Sequence, residues 1–470
     1  MKQSKWFFFM LVAWLLMGAE PIFAQNLSLE SVLQSLDQHY PPLQAARQKL
    51  EMAKGKRLQK QGAFDTKLKA KGSAIPLGYY EQIVLDSQVE QALPLWGLSL
   101  FGGYRLGAGN IAPYDGKKQT DGLGEIRTGF RLPLLRDGVI DQVRLEIAQA
   151  DLELELARLD VFEKQLKFVK EASKYYWSWV AAAHKTRLAE DLLHLAEKRN
   201  QDILKSIQLG QLPRIAQIEN QTSIFKRQAK LIETRQKQQT MAWELSLYLR
   251  KQTASVFTGA QAFADFPPVQ NRAADQLLKP LTQALARRPE PLGYLVQLEQ
   301  NRLSRVWAEN QKQPQLDLNF AISKDLGGSD KTRDPLELEA GLGLEWPVQN
   351  RKATGLLQEL VAKQKQLELE YGFWHEKIAV ELQSVVTALV AAQQRVNLAR
   401  QQVQVAQELE LAEQERFALG ATTLLVLNLR EQSRGDAVNE QIEALESWFK
   451  AWAEYLAALG LVQESVLGLP

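Results

Sequence analysis

The first residues to test for chemistry in this cysteine-free chain are its four histidines, His39, His184, His194 and His375. Two imidazoles one helical turn apart can share a metal, and His-Glu-x-x-His adds a general base; none of the four stands at that spacing. Each reads as a packed or surface histidine. The missing cysteines remove disulfides, thiolate zinc sites, cysteine nucleophiles, Fe–S clusters and a lipid-modified amino-terminal cysteine together. Phe101-Gly-Gly-Tyr104 lies within strand-like alternation and lacks the strand, glycine loop and helix of a phosphate site. Carboxylates are plentiful but spread along helix faces, where they solvate a surface. Tyr175, Tyr176, Trp177 and Trp179, with Trp448, Trp452 and Tyr455, could line a ligand box, but at helical spacing they read as packing layers. No catalytic constellation emerges, so the expectation is a protein that is not an enzyme and uses no cofactor or metal.

The elements are more informative. From Ile378 the apolar residues run Leu382, Val385, Leu389, Ala392, Val396, Ala399, Val403 and Ala406, in steps that alternate four and three. That 3.5-residue period is a coiled-coil seam rather than the wider stripe of a globular helix. It then admits Glu410 and Glu413, and closes on Phe417 just before Gly420. A second periodic run leaves through Leu427, Val438, Ile442, Leu445, Phe449, Trp452 and Leu456. A glycine after the last turn ends a helix cheaply in the left-handed region. The stretch is a helical hairpin with its tip at Gly420 and a first arm of roughly 60 Å or more.

The chain has 470 residues, 24% of them charged, and Lys+Arg exceeds Asp+Glu by two, so no basic field invites nucleic acid. Lys2 and Lys5 precede an apolar run from Trp6 to Met17, then Gly18, Ala19 and a candidate cleavage after Ala24, which describes a secretory signal peptide over 1–24. Ile22 is an imperfect residue three before the cut, which leaves an uncleaved anchor as the alternative. Beyond Ala24 no apolar stretch reaches the ~18–20 residues of a spanning helix.

The order of elements occurs twice. Residues 25–262 read as a helix broken at Pro41-Pro42, a β segment over 64–133, a long helix, a tip near Gly210 and a return helix to about Arg250. Residues 263–470 read as a helix broken at Pro289 and Pro291, a β segment over 315–346, a long helix, the tip near Gly420 and a return helix. Alternation is sharpest at Ile126, Thr128, Phe130 and Leu132 opposite Glu125, Arg127 and Arg131, and at Leu316, Leu318, Phe320 and Ile322 opposite Asp317, Asn319 and Ser323. The seam Val143, Ile147, Ala150, Leu154, Ala157 and Val161 opens the first long helix. This is an internal duplication.

A soluble half-buried sheet is the plain reading of such strands, but no dedicated helix covers their apolar faces. An exported chain without spanning helices enters a membrane only as a closed barrel, since open edges leave backbone groups unpaired in lipid. Two hairpins are too few to close alone, so the barrel has to be shared between chains.

At this point the sequence resembles the TolC-like outer-membrane efflux channels, over nearly the whole mature chain. The resemblance rests on Pro42-Leu-Gln-Ala-Ala-Arg47 and Ala284-Leu-Ala-Arg-Arg-Pro-Glu290, and on the exits Leu132-Pro-Leu-Leu-Arg-Asp-Gly138 and Glu345-Trp-Pro-Val-Gln-Asn-Arg351. The tips Leu209-Gly-Gln-Leu-Pro-Arg-Ile215 and Arg416-Phe-Ala-Leu-Gly-Ala-Thr-Thr423 complete it. It implies a mainly α protein with membrane β: a homotrimer whose helices form a periplasmic tunnel under a shared twelve-stranded β-barrel, four strands per chain. It also implies partners, a periplasmic adaptor protein at the helical tips and an inner-membrane transporter behind it. Two departures stand out. The carboxylate that the family usually carries shortly after each tip glycine is replaced by Ala216 and Val426, leaving Glu219, Arg430 and Glu431 as the nearest charged gate candidates. The first β segment is also longer by about 37 residues, with extra runs within 74–122 that either elaborate the first hairpin or add strands; a four-stranded contribution is favoured.

The resulting expectation is a passive exit duct in a Gram-negative-type outer membrane, with a large periplasmic part. Leu68, Ile126, Phe130, Leu318, Phe320, Ile322, Leu338, Leu342, Leu344 and Trp346 would face lipid. Leu209, Gly210, Leu212, Pro213, Leu419, Gly420, Ala421 and Thr422 would meet the adaptor. The rival is a periplasmic coiled-coil adaptor or scaffold with a soluble β domain.

Overall fold

The computed structural model describes residues 27–250, 263, 265–328 and 335–462. The signal segment 1–24 lies outside them. Helix α1 (Leu29–His39) is capped by Ser28, whose hydroxyl accepts the Ser31 N–H at 3.2 Å, and it buries Val32, Leu33 and Leu36. Tyr40 is extended, as a residue before proline must be, and α2 (Pro41–Gln61) starts on the proline itself. The second half repeats the device: Arg288 is extended and ends one short helix, and Pro289 opens the next.

The strands are β1 (Lys67–Ile75), β2 (Gln82–Ala92), β3 (Ser99–Gly109), β4 (Glu125–Pro133), β5 (Gln315–Asp325) and β6 (Glu337–Glu345). They form one six-stranded sheet in chain order, every neighbouring pair antiparallel. This corrects the expected four-stranded contribution. The runs within 74–122 are not an elaborated hairpin beside the sheet: β2 and β3 pair along their full length, Gln82 opposite Gly109 to Ala92 opposite Ser99, and bond outward to β1 and β4. Phe64 closes a 3-10 turn, Gly62–Phe64, ahead of β1 instead of starting the strand.

The remaining helices are α3 (Gln142–Gln208), α4 (Ile215–Ser246), α5 (Ala274–Leu278), α6 (Leu281–Arg287), α7 (Pro289–Asn310), α8 (Arg351–Ala418) and α9 (Leu424–Ala458). The chain divides into two compact units. Of the described residues, one takes 27–46, 162–250, 263, 265–288 and 376–462; the other, which holds the sheet, takes 47–161, 289–328 and 335–375. In the first unit the heptad seam of α8 is the buried side, with Ile378, Leu382, Leu389 and Val396 almost fully enclosed. The aromatic residues are core, as their spacing predicts. Trp177 stacks on Phe449 at 4.1 Å, and Trp448 on Trp452 at 5.6 Å. The Tyr176 and Tyr455 hydroxyls donate to the carbonyls of Leu27 and Leu277, each at 2.9 Å, which satisfies their polar ends. Burial pushes the Tyr176 hydroxyl up to about 12.

Candidate functional site: the helical turns and the two-faced sheet

Helices α3 and α8 end in the same way. Gly210 has φ of +74° and Gly420 of +69°. The Gly210 N–H donates to Ile207 O at 3.0 Å and the Gln211 N–H to Ser206 O at 2.8 Å; Gly420 and Ala421 repeat this to Phe417 and Arg416. This pair of bonds satisfies the last carbonyls of each helix and needs a left-handed residue, which is why glycine stands there. The return helices start four or five residues later, and the Pro213 carbonyl accepts the Ala216 N–H just ahead of α4. Both turns belong to one cluster: Ile203, Ala216 and Leu424 are buried, with Ile207, Leu212 and Phe417 packed on them. Leu212 therefore points into the cluster. Leu209 and Leu419, the residues before each glycine, stay 71% and 83% exposed. Of the residues expected at the tips, Gly210, Pro213, Gly420 and Ala421 are exposed and Thr422 is half-buried.

Behind the turns lies a buried ionic layer. Glu431 on α9 is fully enclosed, bonded to Arg199 of α3 and to Arg227 of α4 at 2.7 Å. Arg199 also donates to Asn428 Oδ1 at 2.9 Å, and Arg227 to the Leu192 carbonyl at 2.5 Å. Glu410 and Glu413 of α8, the two seam carboxylates, are buried beside it; Arg434 meets Glu410 at 2.5 Å and Arg430 meets Glu413 at 3.7 Å. Four helices are thus joined by charge where their seams give up apolar contact. Burial holds both Arg199 and Arg227 below the usual guanidinium range, Arg199 down to about 10, with the neighbouring Arg227 adding to the effect on Arg199. The layer gathers two of the three gate candidates, Arg430 and Glu431, and leaves Glu219 exposed on α4. Sequence reasoning missed Arg199, Arg227 and Arg434. The available signal was the pair of glutamates inside an apolar seam, which demands cations but does not say which helix supplies them.

In the other unit, the register sorts every strand residue onto one of two faces. One row runs Leu68, Val89, Gly102, Thr128, Ile322, Leu338 across all six strands. Phe130 faces Phe320, their rings stacked at 5.5 Å, and Leu318 faces Leu342. Every strand residue expected to meet lipid lies on this face, and Trp346 follows one position after β6 with the same parity. The opposite face carries the charges: Asp86 with Arg105 at 2.8 Å, Arg131 with Asp317 at 2.6 Å, and Lys69 with Glu90. The segment between β3 and β4, with its 3-10 turn Pro113–Lys118, folds over this polar face. Arg105 donates to the Lys117 carbonyl at 2.7 Å, and Lys117 reaches Glu339 of β6 at 2.6 Å. A side chain at Gly107 would collide with the Lys118 carbonyl, so only glycine admits this fold-back.

The fold of the chain matches solved structures. VceC, an outer membrane protein from Vibrio cholerae, aligns over 92% of this chain and 96% of its own, at 17% identity and a TM-score of 0.62. The CmeC outer membrane channel of Campylobacter jejuni aligns over 92% and 85%, at 12% identity and 0.63. The MtrE outer membrane channel of Neisseria gonorrhoeae aligns over 92% and 89%, at 12% identity and 0.61. The chain has the TolC-like channel fold. No protein-family model matches the sequence, and no curated protein does. Within the TolC-like fold, the ionic layer and the glycine turns sit together in one compact unit, and the two-faced sheet in the other.

Proposed function

We propose that the protein is a passive exit duct of the outer membrane, part of a tripartite efflux or secretion system, acting as a homotrimer. The carrying observation is the sheet: six antiparallel strands with one continuous apolar face, a charged opposite face and an open edge at each side. In lipid such a sheet is stable only when closed, with its apolar face outward and its charged face lining water. None of the described helices is long and apolar enough to cross a membrane. The helical part is read as the periplasmic tunnel wall. Ile218, Phe225 and Ile232 on α4 are exposed at seven-residue intervals, a seam that suits a neighbouring copy. The turns at Gly210 and Gly420, with Leu209 and Leu419 outermost, are read as the closable end that meets a periplasmic adaptor, and an inner-membrane transporter supplies the energy.

The test is fractionation of cells that make the full chain. The duct stays in the outer-membrane fraction through salt and carbonate washes, needs detergent for release, and then has the mass of three chains. A monomer released without detergent would overturn the proposal in favour of a periplasmic scaffold.

A further inference from the structure

β1 and β6 are the two edges of the sheet, each with one row of backbone donors and acceptors that no other strand of the chain meets among the described residues. We propose that β1 of one copy pairs antiparallel with β6 of the next, Lys67 opposite the partner's Glu345, so that three copies close an eighteen-stranded barrel instead of a twelve-stranded one. The inference rests on the shared-barrel reading above and assigns its seam.

Charge selects the partner. The polar face of β1 presents Lys67, Lys69 and Lys71; that of β6 presents Glu337, Glu339 and Glu345. Pairing β1 with β1 sets lysine against lysine, and β6 with β6 sets glutamate against glutamate, both destabilising. Only β1 on β6 matches, so the edge charges that repel like edges admit the unlike one. Lys67, Lys71 and Glu345 have no ionic partner among the described residues of their own chain. Between Glu339 and Glu345 the same face carries Gly341 and Gly343, where an added side chain would meet nothing within 4 Å. Lys69 and Lys71 can lie over those glycines and reach the partner's Glu345 and Glu339 diagonally.

Geometry selects the register. Following paired residues from Lys67 leads through Glu90, Phe101, Gly129 and Ala321 to Glu339, six residues short of Glu345 on β6. Lys67 and Glu345 are also the strand ends at which the chain comes from helix and returns to it. With these two opposite each other, the path climbs six residues for every six strands. At about 3.3 Å per residue and about 4.8 Å between strands, that is a strand tilt of roughly 35°, within the range of closed barrels. Sliding the seam to put Lys69 against the partner's Glu339 cuts the climb to two residues and the tilt to roughly 13°, too upright to close. Eighteen strands enclose an aqueous bore of the porin class, about half as wide again as twelve would give.

The chain has no cysteine, so introduced pairs report only the chosen contact. Leu68→Cys and Leu344→Cys lie on the exposed apolar face, where neither change opens a core cavity. In the full chain in native membranes, a short thiol cross-linker should shift L68C/L344C to covalent dimer and trimer bands on a denaturing gel. L68C/L338C, about 20 Å out of register, should remain monomeric. Equal linking of both pairs overturns the register, and a ladder that stops at dimer overturns the eighteen-strand count. No linking in a protein that still has a trimer's mass in detergent overturns the seam while leaving the trimeric duct intact; a monomer's mass defeats the duct reading itself. Unlinked samples of each single variant, run beside the cysteine-free protein, confirm that the substitutions leave assembly unchanged.

Discussion

At the scale of the residue, Glu431 is the side chain whose loss alone should cost most in the ionic layer. It is a carboxylate with no exposed surface, held between Arg199 and Arg227. Removing the shared carboxylate leaves Arg199 its bond to Asn428 and Arg227 its bond to the Leu192 carbonyl but takes away the charge that both face, so Glu431→Gln should cost about 3–5 kcal/mol, seen as a lowered unfolding midpoint in detergent. Replacing Glu431, Arg199 and Arg227 together by methionine should cost far less, because nothing charged is left enclosed. Leu209 and Leu419 are the converse: largely exposed, they contribute little to folding. Leu209→Asp or Leu419→Asp should abolish export while stability stays within about 0.5 kcal/mol, and preserved export would remove these turns from the docking end. His184 offers a pH test. Burial against Phe263 and Phe266 holds its pKa below the ordinary value, with Asp265 opposing and Arg187 assisting that shift. The unfolded chain therefore binds the proton first as pH falls, and stability should decline as pH drops through about 6.5 and below. The slope from this one group cannot exceed about 1.4 kcal/mol per pH unit, and His184→Gln should remove it, read as the difference between the two pH–stability curves.

At the scale of the element, the glycine turns are the most demanding local feature. Gly420→Ala should destabilise the hairpin by about 1–2 kcal/mol, since a side chain in the left-handed region is strained even where space is open. Thermal unfolding checks this, and an unchanged midpoint would mean the turn refolds in another way. Such turns were legible in the sequence because glycine at a helix end has one dominant physical reason. The proline starts at Pro41 and Pro289, the heptad seam from Ile378 and the strand faces were legible for the same reason: one period or one steric rule decides each. What periodicity could not supply was pairing. Whether the runs at 82–92 and 99–109 join the sheet depends on hydrogen bonds to strands far along the chain, and alternation is the same in a hairpin that stands apart. Likewise Glu410 and Glu413 stood out inside the seam, but their partners Arg434 and Arg430 come from the return helix, and Arg199 and Arg227, which hold Glu431, lie some two hundred residues before it on helices whose rotation the seam alone does not fix.

At the scale of the whole molecule, the sheet has one apolar and one charged face, and α4 leaves Ile218, Phe225 and Ile232 exposed. In the proposed trimer the edges of the sheet and this side of α4 meet neighbouring copies. The central claim is that copies together enclose a water-filled passage through a lipid layer. The direct measurement is the current across a planar lipid bilayer after addition of the purified full-length protein. Discrete, long-lived conductance steps, enlarged by Glu431→Gln as the ionic layer behind the turns loosens, are the predicted result. A bilayer that stays silent with protein of trimeric mass inserted in it would contradict the account.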